Sequence, residues 1–107
     1  MTTEYRVPSK HFNELVKQYP AVFEAHEKLG TEIRSAGPLD EKTLQLLQLA
    51  AAGAIGSEGA VHSHTRRALA AGVSVEEIYH AHLALISTIG FPSAMAAISW
   101  SRDIIEK

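Results

Sequence analysis

The sequence predicts an all-α protein built from five or six helices. Glycine, proline and helix-capping residues divide the chain into segments of helical length, and apolar side chains recur within them at intervals of three and four residues. No segment shows the strict alternation of apolar and polar residues that is typical of a half-buried strand. The 107 residues are about one domain's worth, so we expect a single helical domain over residues 1–107.

Proline separates the first two predicted helices. Ser9 is placed to cap a short first helix, which should end at Tyr19 because a residue before proline is disfavoured in the α conformation. Pro20 suits the first turn of a second helix, and Gly37-Pro38 closes that helix.

A third helix is predicted between Asp40 and Gly56. Asp40 is a favourable N-cap, and glycine commonly follows the last turn of a helix. We expect one face of this helix to be apolar, formed by Leu44, Leu47, Ala51 and Ala54.

The fourth predicted helix begins at the Ser57 cap and ends before Gly72, which can adopt the left-handed conformation that often terminates helices. A rotation of about 100° per residue places His62 and His64 on opposite sides of one broad stripe. The members of this stripe are Glu58, Val61, Thr65, Ala68, Leu69 and Gly72.

The capping-box spacing of Ser74 and Glu77 predicts the start of a fifth helix, which should continue to Gly90. The last helix is predicted to run from Phe91 to Ile105, with proline in its first turn.

Composition and charge exclude several classes of function. The chain has 10 Lys and Arg and 12 Asp and Glu, a formal charge of −2 without a basic run, so we expect no nucleic-acid partner. We find neither an export signal nor an apolar stretch of membrane-spanning length, and we expect a cytoplasmic protein without a membrane partner.

The absence of cysteine excludes a disulfide and a thiolate nucleophile. An apolar content of 46% is high for so small a domain and predicts self-association.

The densest group of titratable side chains lies at the start of the fourth helix. Glu58, at the inner edge of the stripe, could serve as a general acid, or it could be a solvated residue placed to interact with the helix dipole. His64 could carry protons within a pocket, or it could pack at the margin of the apolar stripe.

Neighbouring residues allow further chemistry. His62 follows Glu58 by four residues, so the two side chains could form an ion pair or share a metal ion. A histidine of the fourth helix could also combine with His80 or His82 of the fifth helix in a metal site. Arg66 and Arg67 both have the planar guanidinium that binds a substrate carboxylate well, or at least one of them could be a solvated residue of the helix surface.

Two motifs resemble the helical core of the carboxymuconolactone decarboxylase family, and the resemblance covers most of the chain from Tyr19. The more specific motif is Glu58-Gly59-x4-His64-x-Arg66-x-Ala68-x3-Gly72. The other, Gly90-Phe91-Pro92-Ser93-Ala94, is similar to a Gly-Ile-Pro-Ala-Ala segment of that family.

This resemblance implies an alkylhydroperoxidase-like helical fold that assembles into homodimers, homotrimers or homohexamers. It implies a lyase acting on a small carboxylated lactone or related acid, with Glu58 and His64 as the catalytic acid–base pair. We assign substrate binding to Arg66 and His62 and expect neither cofactor nor metal. The alternatives are a catalytically inert binding or assembly protein and a histidine-ligated metal enzyme. The dithiol peroxidase cycle of related proteins needs two cysteines, and this chain has none.

Overall fold

The computed structural model describes residues 10–107, and each regular element in this range is a helix. The prediction of an all-α protein is therefore confirmed for this part of the chain, whereas Ser9, the predicted first cap, lies outside the described residues. None of the helices in this range has the length and apolar character needed to cross a membrane. The helical segments are α1 (Lys10–Gln18), α2 (Pro20–Ser35), α3 (Glu41–Ala54), α4 (Glu58–Ala70), α5 (Val75–Ala84), α6 (Ile86–Ile89) and α7 (Phe91–Ile105).

The described residues form two compact units, one ending at Asp40 and the other spanning Glu41–Lys107. Our assignment of one family domain to residues 1–107 stays a prediction. In the N-terminal unit, Tyr19 separates the end of α1 from the start of α2, as predicted. Phe12 and Phe23 pack edge to face with ring centroids 5.4 Å apart, an arrangement favoured by the aromatic quadrupole.

The C-terminal unit surrounds an apolar core. Helix α4 contacts both α3 and α7, and α5 also packs on α7. Val61, Thr65 and Ala68 are completely buried, which confirms the middle of the inward stripe predicted for α4, whereas Glu58, predicted at its inner edge, is exposed. The cluster of buried core side chains consists of Leu49, Ala52, Val61, Ala68, Val73 and Ile78.

The apolar face predicted for α3 is wrong. Leu47 is 55% exposed, and Ala51 and Ala54 are exposed as well. The buried residues of α3 are instead Gln45, Leu49, Ala52 and Gly53. Because the true core face contains a glutamine and a glycine, a search for apolar periodicity selects a neighbouring face.

Local capping signals set both ends of α4 and the start of α5 as predicted. The Ser57 hydroxyl accepts a hydrogen bond from the Ala60 amide at 3.3 Å. Gly72 follows α4 with a φ of 90°, a conformation that L side chains rarely adopt. Ser74 and Glu77 form both hydrogen bonds of the capping box, at 2.8 and 3.0 Å.

The fifth predicted helix is divided into α5 and α6. At Leu85 the backbone amide donates to the carbonyl of His82 at 3.1 Å, three residues back, so the helix tightens there. The residues that follow include β-branched Ile86, Thr88 and Ile89, whose lower helix propensity is consistent with the interruption.

Candidate functional site

The four predicted site residues lie along α4 in different environments. Glu58 occupies the first turn of the helix and is exposed. His62, His64 and Arg66 are each half-buried. Since Glu58, His62 and Arg66 follow one another at four-residue intervals, their side chains leave the helix on the same side. His64 lies on another side of the helix, and its predicted pairing with Glu58 stays a prediction.

The structure places Asp103 of α7 opposite His62 of α4. The Asp103 carboxylate oxygen Oδ2 lies 3.0 Å from His62 Nε2, and the side chains are 54% and 24% exposed, respectively. Asp103 is a candidate site residue that the sequence reasoning missed. It lies 41 residues after His62 and belongs to no local motif, so no sequence signal would have paired the two.

Glu58 completes a cluster with this pair. One potential ligand atom from each of Glu58, His62 and Asp103 lies within 4.8 Å of the others. Two carboxylates and an imidazole can exchange protons with a small substrate, and they also match the ligand preferences of several divalent first-row metals. Glu58 and His62 therefore come together as predicted, with Asp103 as the additional member.

The predicted combination of histidines from α4 and α5 is not assembled in the described part of the chain. His80 is exposed, whereas His82 is completely buried. His82 Nε2 lies 2.8 Å from the Ser101 hydroxyl, so that nitrogen already has a partner in the core. Residues two apart on a helix point in different directions, which is why these two histidines do not act together.

A fully buried hydrogen-bonded cluster lies within the C-terminal unit. Ser101 Oγ of α7 is 2.8 Å from Thr65 Oγ1 of α4 and 2.8 Å from His82 Nε2 of α5. The other ring nitrogen, Nδ1 of His82, is buried and has no hydrogen-bond partner among residues 10–107. Burial lowers the pKa of His82 because a charged imidazole would lose its hydration, so His82 is neutral near pH 7.

The surface of the C-terminal unit has two open depressions. One, of about 560 Å³, runs along α7 and includes Asp103, and the other, of about 300 Å³, lies where α3 ends near α7. Arg102 borders the first depression and forms an ion pair with Glu106 at 2.7 Å. The candidate cluster thus adjoins an open surface depression through Asp103.

Comparison with known proteins identifies the family. The model of the carboxymuconolactone decarboxylase family matches residues 20–103. An uncharacterised protein of Methanocaldococcus jannaschii is 30% identical over 92 residues, which cover 86% of each chain. An uncharacterised protein of Haemophilus influenzae is 33% identical over 72 residues, which cover 64% of each chain. No solved structure matches the sequence. With the family model matching well over half of its length, this cysteine-free chain belongs to the carboxymuconolactone decarboxylase family.

Proposed function

We propose that the protein is a decarboxylase-like lyase that acts on a small carboxylated lactone or a related acid. The observation that carries this proposal is the hydrogen bond between His62 and Asp103, with Glu58 beside it. A carboxylate that holds an imidazole in one orientation and tautomer is a common arrangement in acid–base catalysis. Family membership agrees with this reaction class.

The chemistry of the reaction assigns a role to each group. Loss of CO2 from a carboxylate conjugated to a lactone carbonyl moves the electron pair into a dienolate, which must then take up a proton on carbon. Because Nε2–H of His62 is directed at Asp103, the proton to be delivered must first be placed on Nδ1, which gives the imidazolium; Nδ1 then donates that proton to carbon and leaves His62 neutral. Arg66 binds the substrate carboxylate from the same side of α4. Glu58 returns a proton to His62 from solvent.

A direct assay tests the proposal. CO2 release from γ-carboxymuconolactone and simpler carboxylated lactones is measured for the wild type and for His62→Asn and Glu58→Gln. His64→Ala tests the catalytic residue predicted from the family motif, and His80→Ala, at an exposed position outside the cluster, is the matched control. We expect turnover in the wild type and a loss of about 100-fold in His62→Asn, within the usual range for a general acid–base group. Absence of wild-type turnover on all substrates would contradict the lyase proposal.

A metal-dependent enzyme is the second candidate, and the grouping of ligand atoms at Glu58, His62 and Asp103 favours it. An imidazole with two carboxylates suits a divalent first-row metal and leaves coordination positions for substrate. Metal analysis of purified protein after dialysis against a chelator separates the two candidates. A stoichiometric ion that is lost in His62→Asn supports the metal enzyme, and a metal-free protein that retains turnover supports the lyase.

The exposed position of Glu58 favours a third candidate, a catalytically inert binding or assembly protein. For an inert protein, the wild type and the variants of Glu58, His62 and Asp103 should all fail to release CO2. Self-association should persist in each of them. A dithiol peroxidase cycle needs two thiols that this chain does not supply.

We also propose that the protein forms a homo-oligomer in the cytoplasm. Several large apolar side chains of the C-terminal unit are exposed, and burial against another copy would remove them from water. They include Leu47, Ile55 and Phe91, which are 55%, 77% and 61% exposed. Light scattering with size-exclusion chromatography tests this, and a monomer at all concentrations would contradict it. Ile55→Glu should weaken the assembly, and Ser99→Ala is the control.

A further inference from the structure

Ser101 joins three helices in the interior of the C-terminal unit. It belongs to α7, and its hydroxyl oxygen lies 2.8 Å from both Thr65 of α4 and His82 of α5. All three side chains are completely buried. Polar groups in a core are costly unless they are paired, so this cluster favours one arrangement of α4, α5 and α7 over others.

The available donors and acceptors determine which atom donates in each hydrogen bond of the cluster. Within the described part of the chain His82 Nδ1 has no partner, and a hydrogen on that atom would there be a buried donor without an acceptor. The proton of neutral His82 therefore belongs on Nε2, which donates to Ser101 Oγ. The Ser101 hydroxyl can then donate its own hydrogen to Thr65 Oγ1. A serine hydroxyl is suited to this central place because it donates and accepts at the same atom.

The buried cluster and the exposed His62–Asp103 pair both connect α4 to α7. Ser101 precedes Asp103 by two residues on α7, and Thr65 follows His62 by three residues, about one turn, on α4. The bond between Thr65 and Ser101 therefore fixes how far α7 can slide or rotate against α4. That register decides whether the Asp103 carboxylate reaches the His62 imidazole.

We infer that Ser101 is a positioning residue for the His62–Asp103 pair, acting through its buried hydrogen bonds to Thr65 and His82. The catalytic part of this inference rests on the proposed lyase function, and the structural part is independent of it. Ser101 itself touches no substrate.

Two variants test the inference in the full-length protein. Ser101→Ala removes both hydrogen bonds, and Thr65→Val removes only the bond between α4 and α7 while nearly preserving side-chain volume. Ser99→Ala, at an exposed position on the same helix, is the matched control. Imidazole ¹⁵N shifts report the tautomers of His62 and His82, and NOEs between the His62 ring and the Asp103 methylene report their contact. CO2 release gives kcat and KM separately.

In the wild type we expect the Nε2–H tautomer of His82. In both variants we expect weaker NOEs between His62 and Asp103 and mixed tautomers of His62. If the protein is a lyase, kcat should fall about 10-fold while KM changes little, because the reacting group is misplaced rather than the substrate lost. Ser99→Ala should match the wild type in each measurement.

Folded variants that retain the wild-type NOEs and His62 tautomer would overturn the inference, whatever their stability. If Ser101→Ala does not fold, the NOEs and the His62 tautomer of Thr65→Val provide the test. The NMR measurement requires no substrate. The positioning role of Ser101 can therefore be measured even if the CO2 assay finds no activity and contradicts the proposed lyase function.

Discussion

Asp103 Oδ2 lies 3.0 Å from His62 Nε2, although the two residues are 41 positions apart in the chain. The pair joins α4 to α7 at the surface of the C-terminal unit, and the buried contact between Thr65 and Ser101 joins the same two helices. An imidazole held by a carboxylate has a defined tautomer and a defined direction for its second nitrogen. The proton transfer that we propose depends most directly on this relationship.

Replacing Asp103 should reduce activity more than stability. Asp103→Asn keeps the shape but removes the charge that favours one tautomer of His62, so we expect kcat for CO2 release to fall about 10- to 100-fold. The side chain is 54% exposed, and the free energy of unfolding should change by less than about 1 kcal/mol. Urea unfolding and the CO2 assay measure the two effects. Glu106→Gln, at an exposed acid directly after α7, is the control, and equal losses in both variants would contradict a specific role for Asp103.

Adding a methyl group at Gly53 should destabilise the protein. The new Cβ would lie 3.0 Å from Ala97 Cβ, and the cost of overpacking, about 1–3 kcal/mol, should exceed the gain of about 1 kcal/mol in helix propensity. Gly59→Ala is the matched control, because a Cβ there meets nothing within 4 Å and should be neutral or stabilising. Thermal unfolding compares the two, and a Gly53→Ala variant as stable as Gly59→Ala would show that α3 and α7 separate at little cost.

Removing the Ser74 cap should weaken α5 measurably. Its hydroxyl accepts from the Glu77 amide at 3.0 Å, and the Glu77 carboxylate accepts from the Ser74 amide at 2.8 Å. These hydrogen bonds hold the pKa of Glu77 below its ordinary value. Ser74→Ala should lower the free energy of unfolding by about 1 kcal/mol. Chemical denaturation measures the loss, and Ser99→Ala, within α7, should show none.

The buried His82 should make stability depend on pH. Burial lowers its folded-state pKa below the ordinary value of 6.5, so both states are neutral above that pH and its contribution there is constant. As pH falls below 6.5, the unfolded chain binds a proton that the folded chain does not. The free energy of unfolding therefore decreases with falling pH until the pH reaches the lowered folded-state pKa. Urea titrations between about pH 5 and pH 7.5 should show this slope in the wild type and a smaller one in His82→Gln. His80→Ala is the reference variant. If the wild type and His82→Gln show the same slope of unfolding free energy against pH, the dependence comes from groups other than His82.

Local signals in the chain were sufficient to predict most helix boundaries. Ser57, Gly72 and the Ser74–Glu77 pair act through hydrogen bonds and backbone conformations that span only a few residues. The same range of interaction explains why Glu58 and His62 could be paired in advance, since residues four apart on a helix are neighbours. The break at Leu85 was missed because it follows from weak preferences rather than from a glycine or proline.

Residue type did not determine which face of α3 is buried. Leu47 is exposed, whereas Gln45 is completely buried and donates to Glu41 at 2.8 Å. The acceptor on Glu41 lowers the cost of burying the amide nitrogen of Gln45, and a leucine can face outward where another copy of the chain could cover it. Both depend on neighbours that a single helix does not specify.

The amino-acid sequence alone was enough to establish an all-α chain, to locate the caps of α4 and α5, and to exclude thiol chemistry, because these properties depend on composition or on interactions within one turn. Only the tertiary structure brought Asp103 to His62 and placed Ser101 between Thr65 and His82. These contacts join residues 19 to 41 positions apart, and they form only when α4, α5 and α7 pack in one register. That register results from the combined packing of the whole core, which is why no short stretch of the chain contains it.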